Sequence, residues 1–273
     1  MATIRIGLGQ LPSAVRAAVE EHTGPLLTVE ETAEGFNSEI AARVTSATGT
    51  WHIKGLRTDH PRAWTQHREA AVAPFLTGLA PALRWRVETA GWNLLGFEAL
   101  DGHHADYAPG SPDLPEVAAL LRRLGEISCP DIELRHAEQR LERYAAHPDD
   151  LRYFAGTHLL HTDLNNANVL VDNHASESDR ARLVDWAWAT RGAAWLDAGY
   201  WIIWLIAAGH SPAWAEKWAA EIPAWHPAPA KGVTAFAAAN ANVWSEISTA
   251  DPDPWTLRLA TAATTWHTHR RTG

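Results

Sequence analysis

The sequence predicts an α+β chain of two lobes, a small antiparallel-sheet lobe over residues 1–100 and a mainly helical lobe over 101–273. Three observations carry this. Between 26 and 100, strand-like segments alternate with turn signals around one inserted helical stretch. Residues 101–115 (DGHHADYAPGSPDLP) are rich in Gly, Pro and Asp and read as a hinge or linker. Beyond them, apolar residues recur with helical spacing.

The elements follow in order. Residues 12–22 (PSAVRAAVEEH) read as a short helix, with Pro12 where a first-turn Pro is tolerated and Gly24-Pro25 as the stop. LLTVEETA, SEIAARVTS and TWHIKGL are strand-like and are separated by Glu34-Gly35-Phe36-Asn37 and Ala47-Thr48-Gly49. Residues 59–79 have helical spacing, with Asp59 as a candidate cap. LRWRVETA (83–90) and WNLLGFEAL (92–100) pair as a hairpin around Gly91. Helices are expected over 115–127 and 131–146. Two short β segments then flank a polar loop within 158–192. Further helices are expected over 195–209, 212–221, 229–248 and 255–269.

Composition narrows the function classes. With 46% hydrophobic and 20% charged residues, the 273-residue chain is globular material with an ample core. Its single cysteine, Cys129, excludes an internal disulfide and argues against a cysteine zinc site. The 23 basic and 32 acidic residues give −9, which argues against a non-specific nucleic-acid or anionic-membrane binder. The longest apolar run, 201–208, is far short of the ~18 residues of a membrane helix. A soluble, cytoplasmic protein is the expectation. The 15 Trp are read mainly as core, with one or two left for a substrate wall.

The chemistry concentrates in HTDLNNANVLV (161–171) and LVDWAW (183–188). Two carboxylates and a carboxamide stand at strand ends there. Such a set can hold Mg²⁺, a hard cation that takes oxygen ligands, while one carboxylate accepts a hydroxyl proton. Structural readings stand beside this one. Asp163 and Asn168 could be loop caps, Lys54 a strand-end surface residue and Glu69 a solvated helix residue. Asp197, after Trp195-Leu196, could cap or orient a helix near the site. IRIGLGQLP (4–12) begins like a dinucleotide fingerprint, but Pro12 stands at the third Gly position. His103-His104-x-Asp106 and His158-x-x-His161 invite a metal reading, with surface or packing histidine preferred. The run His267 to Arg271 reads as a polar tail.

These residues resemble the aminoglycoside phosphotransferase and choline-kinase-like branch of the protein-kinase-like fold. That branch carries His-x-Asp-x-x-x-x-Asn and then an Asp after a hydrophobic strand, here His161, Asp163, Asn168 and Asp185. The resemblance implies that Asp163 is the catalytic base, that Asn168 and Asp185 hold Mg²⁺, and that His161 shapes the loop. It implies a buried Lys54–Glu69 pair against the ATP α/β-phosphates. AEGFNSE (33–39) resembles the phosphate-covering turn, with Gly35, Asn37 and Ser38 as its candidates. GFEALDG (96–102) resembles the hinge, where backbone groups of Glu98 and Leu100 would meet adenine.

The implied activity is ATP- and Mg²⁺-dependent O-phosphotransfer to a small hydroxylated molecule, an antibiotic or a metabolite. After Asp185 the chain has six acidic and six basic residues, so the acceptor-side helices are neutral and Trp-rich. A partly apolar, less cationic alcohol therefore fits as well as an aminoglycoside. Two alternatives stay open, a kinase acting on peptide Ser or Thr and a non-catalytic nucleotide-binding regulatory module. The joint presence of Lys54, Asp163, Asn168 and Asp185 argues against the second.

Overall fold

A computed structural model describes residues 5–32, 38–175 and 180–272. The chain divides into two compact units, Met1–Asp101 with Val184–Ala187, and Gly102–Leu183 with Trp188–Gly273.

The N-terminal unit contains α1 (Ser13–Thr23), β1 (Leu26–Glu31), β2 (Ile40–Ser46), β3 (Gly49–Arg57), α2 (Ala63–Val72), β4 (Leu83–Thr89) and β5 (Trp92–Glu98). Its strands form one sheet in the order β1-β2-β3-β5-β4, with every pair antiparallel. Alternation assigns the two faces. Ala42, Ile53 and Gly96 lie in register on one face, opposite Trp85 on β4. Val15 and Val19 of α1 join this face in the core, with Val44, Val87 and Leu94. Gly96 is required here, because a Cβ would lie 2.0 Å from Cε2 of the Trp85 indole. Ala41, Lys54 and Leu95 form one row of the opposite face, and Arg43, His52 and Phe97 form the next. The β4–β5 turn has φ +46° at Ala90 and +78° at Gly91, the paired positive values that a two-residue hairpin of mirror-image type demands.

The inserted helix is shorter than its periodicity predicts. Regular α-helix ends at Val72 and a 3₁₀ turn covers Ala73–Phe75. Pro74 has no N–H to continue the ladder.

The C-terminal unit contains β6 (Gly102–His104), α3 (Leu114–Leu124), β7 (Arg135–His136), α4 (Ala137–Leu141), β8 (His158–Leu160), β9 (Val169–Asp172), β10 (Ala181–Leu183), β11 (Thr190–Gly192), α5 (Leu196–Ala207), α6 (Pro212–Ala220), α7 (Ala230–Ala250) and α8 (Pro254–Thr272). Two three-stranded sheets, β10-β9-β6 and β7-β11-β8, frame the polar loop after β8. Helix α5 is the hydrophobic axis, with Leu196, Trp201, Ile202 and Leu205 fully shielded. Phe236 of α7 packs edge-on against Trp195, Phe154 and Trp266 at centroid distances of 5.3, 5.8 and 6.2 Å. Trp204, Trp244 and Trp255 pack against one another at 5.5–6.3 Å. Much of the tryptophan excess thus fills the helical core.

Two expectations are corrected. The helix expected over 131–146 is reduced to Ala137–Leu141 and a 3₁₀ turn at Glu142–Tyr144. Arg135 and His136 instead pair in parallel with Thr190 and Arg191, so ladder bonds with β11 override local helical spacing. The stretch 101–115 is also more than a hinge. Gly102–His104 pairs with Leu170–Asp172, and the Ala105 N–H donates to the Val169 carbonyl at 2.9 Å.

Candidate active site

The N-terminal unit assembles a cationic residue and two carboxylates. Strand β3 presents Lys54 on the face opposite the hydrophobic core. Helix α2 presents Thr65, Glu69 and Val72, all buried, along one stripe. Lys54 Nζ donates to Glu69 Oε1 at 3.0 Å and Oε2 at 3.3 Å. Asp185 Oδ1 lies 3.6 Å from the same ammonium. The Trp186 N–H donates to Glu69 Oε1 at 3.3 Å, fixing the carboxylate from another side. Asp185 adopts φ +61°, a left-handed conformation that Asp tolerates better than most residues.

The electrostatics of this cluster are one-sided. Burial alone lowers the Lys54 pKa, but Asp185 and Glu69 outweigh it and the net shift is upward, so the ammonium persists. Burial raises the Glu69 pKa, with Asp185 adding to the rise and Lys54 opposing it. Two carboxylates sharing one ammonium leave an excess negative charge, and a divalent cation suits such a place.

On the same face, one row from Lys54 toward the end of β5, stands His52. Burial first, then Lys54, Arg5 and Arg43, push its pKa down to about 4, so the imidazole is neutral at pH 7. Arg43, in register with His52, donates to the Leu100 carbonyl at 2.8 Å and pairs with Asp101. The Glu98 N–H donates to the Ala82 carbonyl at 2.9 Å, and the Glu98 side chain pairs with Arg84 at 3.1 Å. Of the backbone groups the sequence assigned to adenine, the Leu100 carbonyl and the Glu98 N–H thus already have partners. Ser38 is buried. Gly35 and Asn37 lie outside the described residues.

In the C-terminal unit, β8 delivers His161-Thr162-Asp163 into the loop. Asp197, in the first turn of α5 and 3% exposed, holds it. The His161 N–H donates to Asp197 Oδ2 and the Thr162 N–H to Oδ1, both at 2.8 Å. Thr162 has φ +68°, which a β-branched residue adopts only under constraint. Arg140 supplies part of that constraint, donating to Thr162 Oγ1 and Thr190 Oγ1 at 2.6 Å and to the Trp188 carbonyl at 3.3 Å. Burial raises the Asp197 pKa to about 6, against the opposing pull of the two backbone N–H groups and Arg140.

Asp163 and Asn168 come together in this loop. Asn168 Nδ2 donates to Asp163 Oδ2 at 2.9 Å and to the Asp163 carbonyl at 3.1 Å. That places the amide nitrogen on the carboxylate and leaves Asn168 Oδ1 as the atom with ligand character. Asn165 caps the short turn between them, accepting the Ala167 N–H at 3.0 Å. His161 is fully buried, and its Nδ1 accepts the Asp163 N–H at 3.3 Å. The imidazole thus shapes the loop from within. His103 pairs with Asp113 at 3.0 Å. Among the described residues no three of His, Cys, Asp and Glu gather as a metal group.

The residues around Lys54 and around Asp163 that the sequence named therefore cluster within their own units. Sequence reasoning missed Arg140, His52, Arg43 and Tyr107. Period-two alternation from Lys54 could have found His52. Nothing local marks Arg140. Tyr107 is buried, its carbonyl lies 3.0 Å from His210 Nε2, and its hydroxyl has no hydrogen-bond partner among the described residues. Burial, and secondarily the charge of Asp163, raises the pKa of that hydroxyl.

No protein-family model and no curated protein sequence matches the chain. Solved structures do. The choline kinase LicA from Streptococcus pneumoniae is similar with a TM-score of 0.62 and 13% identity, covering 94% of this chain and 100% of that one. The aminoglycoside phosphotransferase APH(4)-Ia is similar at 0.65 and 14%, covering 96% and 99%. A putative aminoglycoside phosphotransferase from Ralstonia eutropha JMP134 is similar at 0.58 and 14%, covering 94% and 96%. LicA has been solved with AMP, and a thermostable mutant of APH(4)-Ia with ADP and hygromycin B. The chain has the protein-kinase-like fold of these small-molecule phosphotransferases.

Proposed function

We propose that this chain is an ATP- and Mg²⁺-dependent phosphotransferase that moves the γ-phosphoryl group to a hydroxyl of a small molecule, an antibiotic or a metabolite. The observation that carries the reading is the buried Lys54, kept charged by Glu69 and Asp185. A buried ammonium with two carboxylates is a weak device for stability alone. It is well suited to receiving polyphosphate oxygens at a fixed point.

The individual roles follow. Lys54 holds the α/β-phosphates and Glu69 fixes its direction. The carboxylate of Asp185 and Oδ1 of Asn168 are the hard oxygen donors that would hold Mg²⁺, which when bound neutralises phosphate charge. Asp163, steered by Asn168 Nδ2, orients the acceptor hydroxyl and takes its proton. Asp197 holds the Thr162 backbone N–H and Arg140 its hydroxyl, so the Asp163 carboxylate is positioned before any substrate arrives. His52 and the chain end of β5 lie beyond Lys54 on the same face, and we assign the nucleoside to that row. The neutral charge balance after Asp185 supports an acceptor that is not strongly cationic.

The test is transfer itself. The protein and its Asp163→Asn variant are incubated with Mg²⁺, γ-labelled ATP, an antibiotic panel and a fractionated bacterial extract, and labelled products are sought by mass spectrometry. A product made by the wild type and absent from the variant is expected. ATP binding without any labelled product, unchanged in the variant, would replace the reading with that of a regulatory nucleotide-binding module.

A further inference from the structure

The C-terminal unit carries a groove of about 700 Å³ that shares no residue with the Asp163 loop. The first turns of α7 form one wall and the last turns of α8 the other. Ala235 and Ala238 give it an apolar floor. The α8 wall is drawn from the run His267 to Arg271, which the proposed activity leaves unused.

Charge in this groove is unbalanced. Lys231 on α7 and Arg271 on α8 line it, and neither makes an ion pair or hydrogen bond among the described residues. Arg270 lines it with them. Its Nη1 is held by Glu216 at 3.3 Å, and its Nη2 donates to the Ala230 carbonyl at 3.4 Å. Its Nε–H, by contrast, is buried without a hydrogen-bond partner among the described residues. Asp150 is the one carboxylate in the lining among the described residues. The first turn of α7 has no acidic residue, so Lys231 also sits against the positive end of that helix dipole. Like charges so arranged leave the groove with an excess positive charge that an anion can balance.

We propose that this groove is a second binding site, for a small organic phosphate. A phosphate dianion matches the two unpaired cations, and a guanidinium presents its N–H groups in the geometry that phosphate oxygens accept. The apolar floor receives the organic body. The volume falls in the range of small-metabolite pockets. This site does not depend on the phosphotransfer reading.

The experiment uses the full chain, EDTA to remove divalent metal, and two probes, inorganic phosphate and phenyl phosphate, titrated by calorimetry at constant ionic strength. The wild type should bind both, phenyl phosphate more tightly. The double variant Lys231→Ala/Arg271→Ala should bind about tenfold or more weakly with an unchanged unfolding midpoint, and Lys231→Arg should retain binding. Both substituted positions are exposed, so folding is not at risk. Three results would overturn the proposal. One is binding unchanged in the double variant, which would put the anion at another site. Another is no saturable binding by the wild type. The third is a signal that sodium chloride abolishes equally in both proteins, which would be an ion atmosphere only.

Discussion

Replacing Asp197 by Asn tests how the backbone before Asp163 is held, and the contacts of that carboxylate set the size of the effect. The two oxygens of Asp197 each accept one backbone N–H, from His161 and Thr162, at 2.8 Å. Asn has one acceptor oxygen, so one N–H would face an amide NH₂ in a place 3% exposed. An unsatisfied buried donor costs about 1–3 kcal/mol. A second effect depends on pH. The folded-state pKa of about 6 lies above the reference value of 3.8, so the folded protein binds the proton more tightly than the unfolded chain. Stability from this group therefore grows as pH falls through 6 toward 3.8, and is lost as pH rises. Linkage makes the difference about 1 kcal/mol between pH 7 and pH 5. Asn has no such proton. Equilibrium urea unfolding of both proteins at pH 5, 6, 7 and 8 should show the variant less stable throughout. The gap should be widest at pH 5 and narrower by about 1 kcal/mol at pH 7 and above. A gap independent of pH would mean that Asp197 takes up no proton on folding. A variant as stable as the wild type at every pH would refute the double acceptor.

Other perturbations have equally definite outcomes. Lys54→Met leaves Glu69 and Asp185 facing each other without a cation, so stability should fall by about 3–5 kcal/mol at pH 8. The loss should shrink at pH 5 as one carboxyl protonates, and a loss that grows toward acid would contradict the cluster. Thr162→Ala and Thr162→Gly both delete the hydroxyl that accepts from Arg140, but only Gly relieves φ +68°. The Gly variant should be the more stable by about 1 kcal/mol in denaturant unfolding, and the reverse order would mean that the backbone is unstrained. Tyr107→Phe removes a buried hydroxyl that has no partner among the described residues, so the unfolding midpoint should stay level or rise. A lowered midpoint would mean that ordered water satisfies the hydroxyl.

What could be read from the sequence follows physical lines. The N-terminal sheet was legible because its strands alternate, its turns carry Gly, and its pairings are between sequence neighbours apart from β3 with β5. The residues at 161–168 were legible because loop residues with no hydrophobic role stand out between two apolar segments. Lys54 and Glu69 were paired through their strand and helix contexts, 15 residues apart. The helix expected over 131–146 failed for a different reason. Its fate is decided by pairing of Arg135 and His136 with Thr190 and Arg191, far outside any local window. Arg140 fell inside that misread segment, so its bonds to Thr162 and Thr190 could not be foreseen. The reading of 101–115 as a hinge or linker missed one short strand in the same way, since Gly102–His104 acquires its strand character only from β9.

The unfavourable features of this protein are not spread evenly, and where they fall bears on function. Among the described residues, three non-glycine positions have positive φ, and two of them, Thr162 and Asp185, immediately precede or belong to the candidate site residues. The third, Ala90, belongs to a hairpin turn that needs that conformation. In the N-terminal unit, the excess carboxylate sits at Lys54 on the polar face of the sheet, while Ile53, Leu94 and Val87 pack the opposite face. In the C-terminal unit, the buried carboxyl of Asp197 lies at the start of α5, directly before the apolar run that forms the axis of the core. Strain and uncompensated charge persist only where surrounding packing over-determines them. The hydrophobic sheet face and the Trp-filled helix core supply that rigidity. Part of the loss they offset falls on Thr162, Asp185 and Asp197, in or beside the candidate site. A fold selected for stability alone would have placed a neutral residue at Asp185, beside a Lys54 already paired with Glu69. Its presence there, more than the fold, favours catalysis over a purely structural role.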